Sequence, residues 1–161
     1  MPGTPLGVAL RALADADPDR PALTHDARTV TRRELERRTN RLARAYAALG
    51  VSADTFVTIG LPNGIAFFEA VIAAWKVGAT PQPVSAKLPR AEREAIIALA
   101  DPSLVVGVDP AEAGGRASLP AGFETDPGLS DEALPPAIAA SWKVPTSGGS
   151  TGRPKLIVAT Q

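Results

Sequence analysis

The segment from Thr146 to Lys155 holds the residues best suited to chemistry, and it reads Thr-Ser-Gly-Gly-Ser-Thr-Gly-Arg-Pro-Lys. Three glycines, four hydroxyl side chains and one lysine share these ten positions. Glycines let backbone N–H groups approach an anion without an intervening Cβ, and hydroxyls add donors to phosphate oxygens. Lysine contributes a mobile point charge. The segment therefore predicts a loop that binds phosphate groups, with enough donors for a triphosphate.

Two other interpretations of this segment fit the sequence less well. A flexible Gly/Ser linker has a similar composition, but Pro154 and the apolar run at 156–159 favour a loop held between two strands. A Walker A loop needs Lys followed by Ser or Thr and then a helix. Here Gly152 is followed by Arg-Pro-Lys, and the next residues are apolar and partly β-branched.

The elements that must position this loop alternate along the chain from residue 51. Buried-type strands are predicted at 55–61, 80–85 and 104–108, and helices at 65–77 and 89–100. This order is typical of an α/β fold with a parallel sheet flanked by helices. We expect a β-α-β-α-β unit over 50–108, a surface connection over 109–140, and a strand, phosphate loop and strand over 141–161.

Proline and apolar residues refine these predictions. Pro81 and Pro83 interrupt the second strand, so it should lie at a sheet edge or end early. Phe67, Phe68 and Trp75 in the apolar helix are expected in the core rather than in a ligand pocket. A short strand is expected near Phe123, within the connection.

The first 50 residues predict a helix over 3–15, a hairpin over 22–30 and a second helix. Thr31 and Glu34 form a capping-box pattern that starts this helix, and Gly50 ends it. Seven arginines lie between residues 28 and 44. They favour a solvated helix face over a site for a polyanion, because they lie opposite the leucine stripe.

The composition excludes several classes of function. The 161 residues carry 17 basic and 17 acidic side chains, so the balanced charge argues against a nucleic-acid binder. The sequence has no cysteine and a single histidine, His25, which excludes thiolate chemistry and multi-histidine metal sites. No apolar run is long enough to span a membrane, and residues 1–20 make a poor secretory signal. A cytoplasmic location is expected.

The residues Val144 to Lys155, VPTSGGSTGRPK, resemble the phosphate loop of the AMP-forming, adenylate-forming enzymes. The usual form in that family is Thr-Ser-Gly-Thr-Thr-Gly-x-Pro-Lys-Gly. Ser150 to Gly152, Pro154 and Lys155 match it, whereas Leu156 replaces the final glycine. Gly148 removes a common hydroxyl, for which Thr146 would compensate. The variant GGSTGRPKLI further resembles the bile-acid–CoA ligases and related acyl-CoA ligases.

The resemblance extends over most of the chain. Residues 31–50 are similar to the early helix of the family, and residues 50–85 are similar to the next strand, helix and Pro-containing strand. The resemblance implies that the chain is the amino-terminal part of the large domain. The magnesium-binding acid, the ribose-binding aspartate and the catalytic lysine of the carboxy-terminal domain would lie beyond Gln161, so no catalytic and no metal-binding residue is expected here.

The function implied by the resemblance is that of an acid–CoA ligase using ATP, Mg²⁺ and CoA. A carboxylate forms an acyl-adenylate, and CoA then displaces AMP. The implied phosphate-binding residues are Thr146, Ser147, Gly148, Gly149, Ser150, Thr151, Gly152 and Lys155. Two alternatives stay open: an amino-acid adenylation domain that loads a carrier protein, and a non-catalytic nucleotide-binding module. The acid and the oligomeric state are left open too.

Overall fold

The computed structural model describes residues 3–147 and 153–160. The helices are α1 (Leu6–Ala16), α2 (Arg32–Ala48), α3 (Ile65–Lys76) and α4 (Arg90–Ala100), and a 3-10 turn spans Pro110–Glu112. The strands are β1 (Pro21–His25), β2 (Arg28–Thr31), β3 (Phe56–Ile59), β4 (Thr80–Pro83), β5 (Leu104–Val106), β6 (Ala117–Leu119), β7 (Ser141–Lys143), β8 (Thr146–Ser147), β9 (Lys155–Leu156) and β10 (Ala159–Thr160). None of the helices in the described ranges is long and apolar enough to cross a membrane.

Four parallel strands form the central sheet in the order β4–β3–β5–β6. From β3 the chain passes through α3 to β4 at one edge, and then through α4 to β5 on the other side of β3. The prediction of a parallel sheet flanked by helices is confirmed. β4 is one of the two edge strands of this sheet, as its two prolines predicted.

Apolar residues of the sheet point alternately to its two faces. On one face Val57, Ile59 and Leu104 pack with residues of α2 and α3. On the other face Val105 packs with Ile97 of α4. These five side chains are at most 1% exposed. Burying each stabilises the fold by roughly 1.5–3 kcal/mol, so helices on both faces hold the sheet in place.

The helix α2 begins and ends at the residues that the sequence predicts. The Thr31 hydroxyl accepts a hydrogen bond from the Glu34 N–H (3.3 Å), and the Glu34 carboxylate accepts one from the Thr31 N–H (2.8 Å), which completes the capping box. The hydrogen bonds from Thr31 hold the pKa of Glu34 below its usual range. Gly50 follows the helix with φ of +93°, a conformation that glycine adopts without strain.

The segment 109–140 differs from the surface connection that we predicted. It contributes β6, which pairs in parallel with β5 as a fourth strand of the sheet. The expected strand near Phe123 is absent from the described residues, and Phe123 is 38% exposed. β6 has only three residues, Ala-Ser-Leu, and just one of them is strongly apolar. Such a short strand carries too little pattern to be recognised in the sequence.

The arginines of α2 contact other parts of the chain rather than forming only a solvated face. Arg41 donates to the Leu129 carbonyl (3.1 Å) and pairs with Asp131 (3.0 Å). Arg44 donates to the Glu132 carbonyl (2.7 Å). The solvated-face interpretation is therefore wrong for these side chains, which bind the end of the 109–140 segment to α2.

A buried lysine joins α3 to α2. The Lys76 ammonium donates to the Glu36 carboxylate (2.7 Å) and to the Asn40 side-chain oxygen (2.6 Å). Burial lowers the pKa of Lys76, and the hydrogen bond with Glu36 opposes that shift. Because the buried ammonium has a carboxylate and an amide oxygen of α2 as acceptors, the cluster joins the two helices.

Candidate functional site

The two stems of the predicted phosphate loop pair with each other. β8 and β9 are antiparallel, and Ser147 lies opposite Lys155 in their register. We call residues 141–147 the first stem and residues 153–160 the second stem. Of the predicted phosphate-binding residues, the structure places Thr146, Ser147 and Lys155. Gly148, Gly149, Ser150, Thr151 and Gly152 lie outside the described residues.

The stems are also joined farther from the loop. β7 of the first stem pairs antiparallel with β10 of the second stem. Between these pairs, the Ile157 N–H donates to the Pro145 carbonyl (2.9 Å). Two short ladders with one bond between them therefore bring both ends of the loop together, as expected for a loop clamped between strands.

A cavity of about 550 Å³ lies beside the stems. Its walls come from the end of β4, the start of α4 and both stems, and the residues are Pro83, Val84, Ser85, Leu88, Ala91, Glu92, Ala95, Ile96, Thr146, Ser147 and Pro154. Its size lies within the range of small-molecule sites. The contribution of α4 to this cavity was not predicted from the sequence. Residues 83–96 are far from the stems along the chain and come next to them only when the sheet folds.

The hydroxyl of Thr146 is the feature of the described stems that most directly favours a ligand. Its Oγ1 atom is buried and has no hydrogen-bond partner among residues 3–147 and 153–160. A buried polar atom without a partner is costly. A phosphate oxygen is an acceptor for such a hydroxyl, so the structure is compatible with the predicted role of Thr146.

The electrostatics of the stems also suit an anion. Residues 141–160 carry Lys143, Arg153 and Lys155 and no carboxylate, although the whole chain has zero net charge. Lys155 and Arg153 are exposed to solvent. Glu92 is the one carboxylate among the described residues that line the cavity. The stems that carry this excess of positive charge also carry the unpartnered hydroxyl.

The aromatic residues of α3 play different parts. Phe67 and Trp75 pack against the core, in agreement with the prediction, whereas Phe68 is 45% exposed. Trp75 has a further contact that the sequence did not indicate: its indole N–H donates to the Trp142 carbonyl of the first stem (2.7 Å). Neither Phe67 nor Trp75 lines the cavity beside the stems.

Comparison with known proteins gives a match over nearly the whole chain. The family described as AMP-binding enzyme matches residues 10–161. The probable non-canonical nonribosomal peptide synthetase CymA of Salinispora arenicola is 31% identical over 145 residues, which are 90% of this chain and 2% of CymA. Most of the other curated relatives found are also peptide synthetases.

Two solved structures share the fold. The AMPPNP-bound form of the nonribosomal peptide synthetase FmoA3 has a TM-score of 0.85 at 21% identity, covering 99% of this chain and 17% of that chain. The O-succinylbenzoate coenzyme A synthetase MenE of Bacillus subtilis, in complex with AMP, has a TM-score of 0.77 at 23% identity, covering 94% of this chain and 41% of that chain. The chain thus spans less than half of each of these proteins.

Proposed function

The chain belongs to the family of AMP-binding enzymes, and we propose that it forms the amino-terminal part of an adenylation domain that activates an amino acid and loads it onto a carrier protein. The observation that carries this proposal is the 31% identity to a peptide synthetase over 90% of the chain. This relationship favours carrier loading over the acid–CoA ligase that we expected from the phosphate loop.

The proposed reaction has two steps. A carboxylate oxygen attacks the α-phosphorus of ATP, the bond to the β-phosphate oxygen breaks, and pyrophosphate leaves. A thiol then attacks the acyl carbon and releases AMP. In the first step negative charge accumulates on the departing pyrophosphate, so fixed donors and cations near it lower the barrier.

The residues of this chain would bind and orient the phosphates. We assign the β- and γ-phosphates to Ser147 and the loop that follows it, through Gly152, and to the Thr146 hydroxyl. Lys155, opposite Ser147 in the stem pairing, would offset the charge of the pyrophosphate. These groups act by position and charge, and none of them needs to transfer a proton.

An acid–CoA ligase is the second candidate function. The fold of MenE, a coenzyme A synthetase, is similar to that of this chain, and the variant GGSTGRPKLI resembles the loop of acyl-CoA ligases. At 23% identity the likeness shows the fold alone, so it does not distinguish a carrier protein from CoA as the acceptor.

ATP–pyrophosphate exchange by the complete domain tests the proposal. We expect exchange that depends on one or a few amino acids, followed by transfer of the labelled acyl group to a phosphopantetheinylated carrier protein and not to CoA. Exchange with aryl or aliphatic acids only, with CoA as acceptor, would support the second candidate. Absence of exchange with every acid would refute both and favour a non-catalytic nucleotide-binding module. The isolated 161-residue chain is expected to give no exchange.

A further inference from the structure

The edge of the sheet that faces the first stem has few backbone donors. In a parallel strand, successive residues direct their N–H and C=O groups to opposite sides. The N–H groups of Thr80 and Val84 donate to Thr55 and Ile59, on the side of β3. Residues 81 and 83 therefore face the other side, and both are prolines without an N–H. This edge offers carbonyl acceptors, and the Pro81 carbonyl accepts from the Val144 N–H (3.1 Å).

A side chain supplies the donor that this edge lacks. The Thr80 hydroxyl donates to the carbonyl of Ser141 at 2.9 Å. Thr80 is 2% exposed and Ser141 is 4% exposed, so water cannot easily replace this bond. A buried carbonyl needs a partner, and Thr80 provides it for the residue at which the first stem begins.

The same serine joins the first stem to the second. The Ser141 hydroxyl lies 2.7 Å from the Ala159 carbonyl and 2.8 Å from the Lys143 carbonyl. A serine hydroxyl has a single proton, so it donates to one of these oxygens at a time. A continuous series of hydrogen bonds therefore connects Thr80 on the sheet, through Ser141, to Ala159 on the second stem.

We infer that Thr80 and Ser141 are positioning residues for ATP binding. They fix the place at which both stems of the phosphate loop leave the sheet. The inference rests on the proposed function. Neither residue lines the cavity. Thr146 lies five residues after Ser141 and Lys155 lies four residues before Ala159, so a shift at this junction moves both phosphate-binding ends of the loop. Loss of that geometry weakens phosphate binding without removing a phosphate ligand.

A matched pair of variants in the complete domain tests this role. Thr80→Val keeps the shape of the side chain and removes the hydroxyl, whereas Thr80→Ser keeps the hydroxyl. In ATP–pyrophosphate exchange we expect Thr80→Val to raise the KM for ATP about tenfold, the scale of one lost buried hydrogen bond. The KM for the acid should stay within about twofold, and Thr80→Ser should restore the KM for ATP to within about twofold of wild type.

Thr39→Val is the control for a purely structural effect. The Thr39 hydroxyl is fully buried and donates to the Leu35 carbonyl (2.7 Å) within α2. Its loss should reduce stability and leave the KM for ATP unchanged. If Thr80→Val does not fold, Ser141→Ala takes its place, because it removes only one hydroxyl. We expect Ser141→Ala to raise the KM for ATP by the same factor.

The outcomes separate this inference from the proposed function. An active wild-type domain in which Thr80→Val, or Ser141→Ala in its place, keeps the KM for ATP within about twofold would overturn the inference alone. So would a Thr80→Ser variant as impaired as Thr80→Val, since the hydroxyl would then not be responsible. A wild-type domain with no acid-dependent exchange would overturn the proposed function and this inference with it.

Discussion

The central sheet and the loop stems are held together in different ways. In the sheet Val57, Ile59 and Leu104 are fully buried between helices. In the second stem Ile157 is 51% exposed and Val158 is 56% exposed. The sheet is thus stabilised by apolar burial. The stems are held mainly by strand pairing and a few side-chain hydrogen bonds, and Val144 of the first stem is the one fully buried apolar side chain among their described residues.

This difference separates stability from binding within one chain. A loop that binds phosphates must leave its backbone N–H groups free to donate, so it cannot be buried under apolar side chains. Its position must then come from its stems, through their hydrogen bonds and through the burial of Val144. Substitutions of the buried apolar residues of the sheet should therefore affect unfolding, and substitutions of the polar residues that form or hold the stems should affect ATP binding.

The largest expected effect is on stability, from Leu104→Ala in β5. Leu104 is fully buried in the main core, and its truncation should lower the free energy of unfolding by about 2–5 kcal/mol. Ile157→Ala in the second stem is the matched aliphatic truncation, and it should change that free energy by under about 0.5 kcal/mol. Urea unfolding of the 161-residue chain measures both. Equal losses would contradict the comparison between sheet and stems.

The next effect is on catalysis, from Lys155→Ala in the complete domain. Removing the proposed counter-charge of the pyrophosphate should slow the adenylation half-reaction about 30- to 1000-fold, or about 2–4 kcal/mol. Lys155→Arg should restore only part of the rate, because a guanidinium places its charge differently. Transfer from supplied acyl-adenylate should change much less.

Lys87→Ala is the control for Lys155, because Lys87 is also an exposed lysine but lies outside the stems. It should leave adenylation within about twofold of wild type. The same small change in Lys155→Ala would show that the loop backbone and its hydroxyls bind the phosphates without this lysine. Rapid-quench measurement of adenylate formation distinguishes the two results.

Local signals predicted much of the fold. The Thr31–Glu34 capping box and the positive φ at Gly50 involve residues close in sequence, and both are present in the structure. The alternation of strands and helices also indicated the parallel sheet. β6 could not be recognised, since three residues carry little periodicity. The bonds of Arg41 to residues 129 and 131 span about 90 positions, and no sequence pattern of α2 specifies them.

In the candidate site, too, local features were predicted from the sequence and long-range contacts were not. Pro154 and the apolar run at 156–159 predicted a loop between two strands, and the structure places Ser147 opposite Lys155. The α4 wall of the cavity and the Thr80–Ser141 bond were not predicted. That bond joins residues 61 positions apart, and either residue alone is an ordinary hydroxyl in the sequence. Its importance depends on Pro81 and Pro83 facing the first stem.

The smallest expected effect is on the pH dependence of stability, through an ion pair between α4 and the 3-10 turn. Arg93 of α4 makes two hydrogen bonds of 2.8 Å to the Glu112 carboxylate. These bonds hold the pKa of Glu112 below its usual range. The stems carry no carboxylate between residues 141 and 160, so the acid dependence of stability should arise outside them.

The sign of this dependence follows from the lowered pKa. Between the folded pKa and the usual value of about 4.3, the unfolded chain binds more protons than the folded chain, so stability rises with pH. The contribution of Glu112 is complete above the usual value and is lost as the pH falls through the lower folded pKa. Glu112→Gln should therefore be less stable than wild type at pH 7, and this difference should shrink below about pH 4.

Urea unfolding between pH 3 and pH 7 measures this difference in stability, with Glu132→Gln as an exposed control that should follow wild type throughout. A difference between Glu112→Gln and wild type that is constant with pH would mean that the pair stabilises the sheet through shape alone, without its charge.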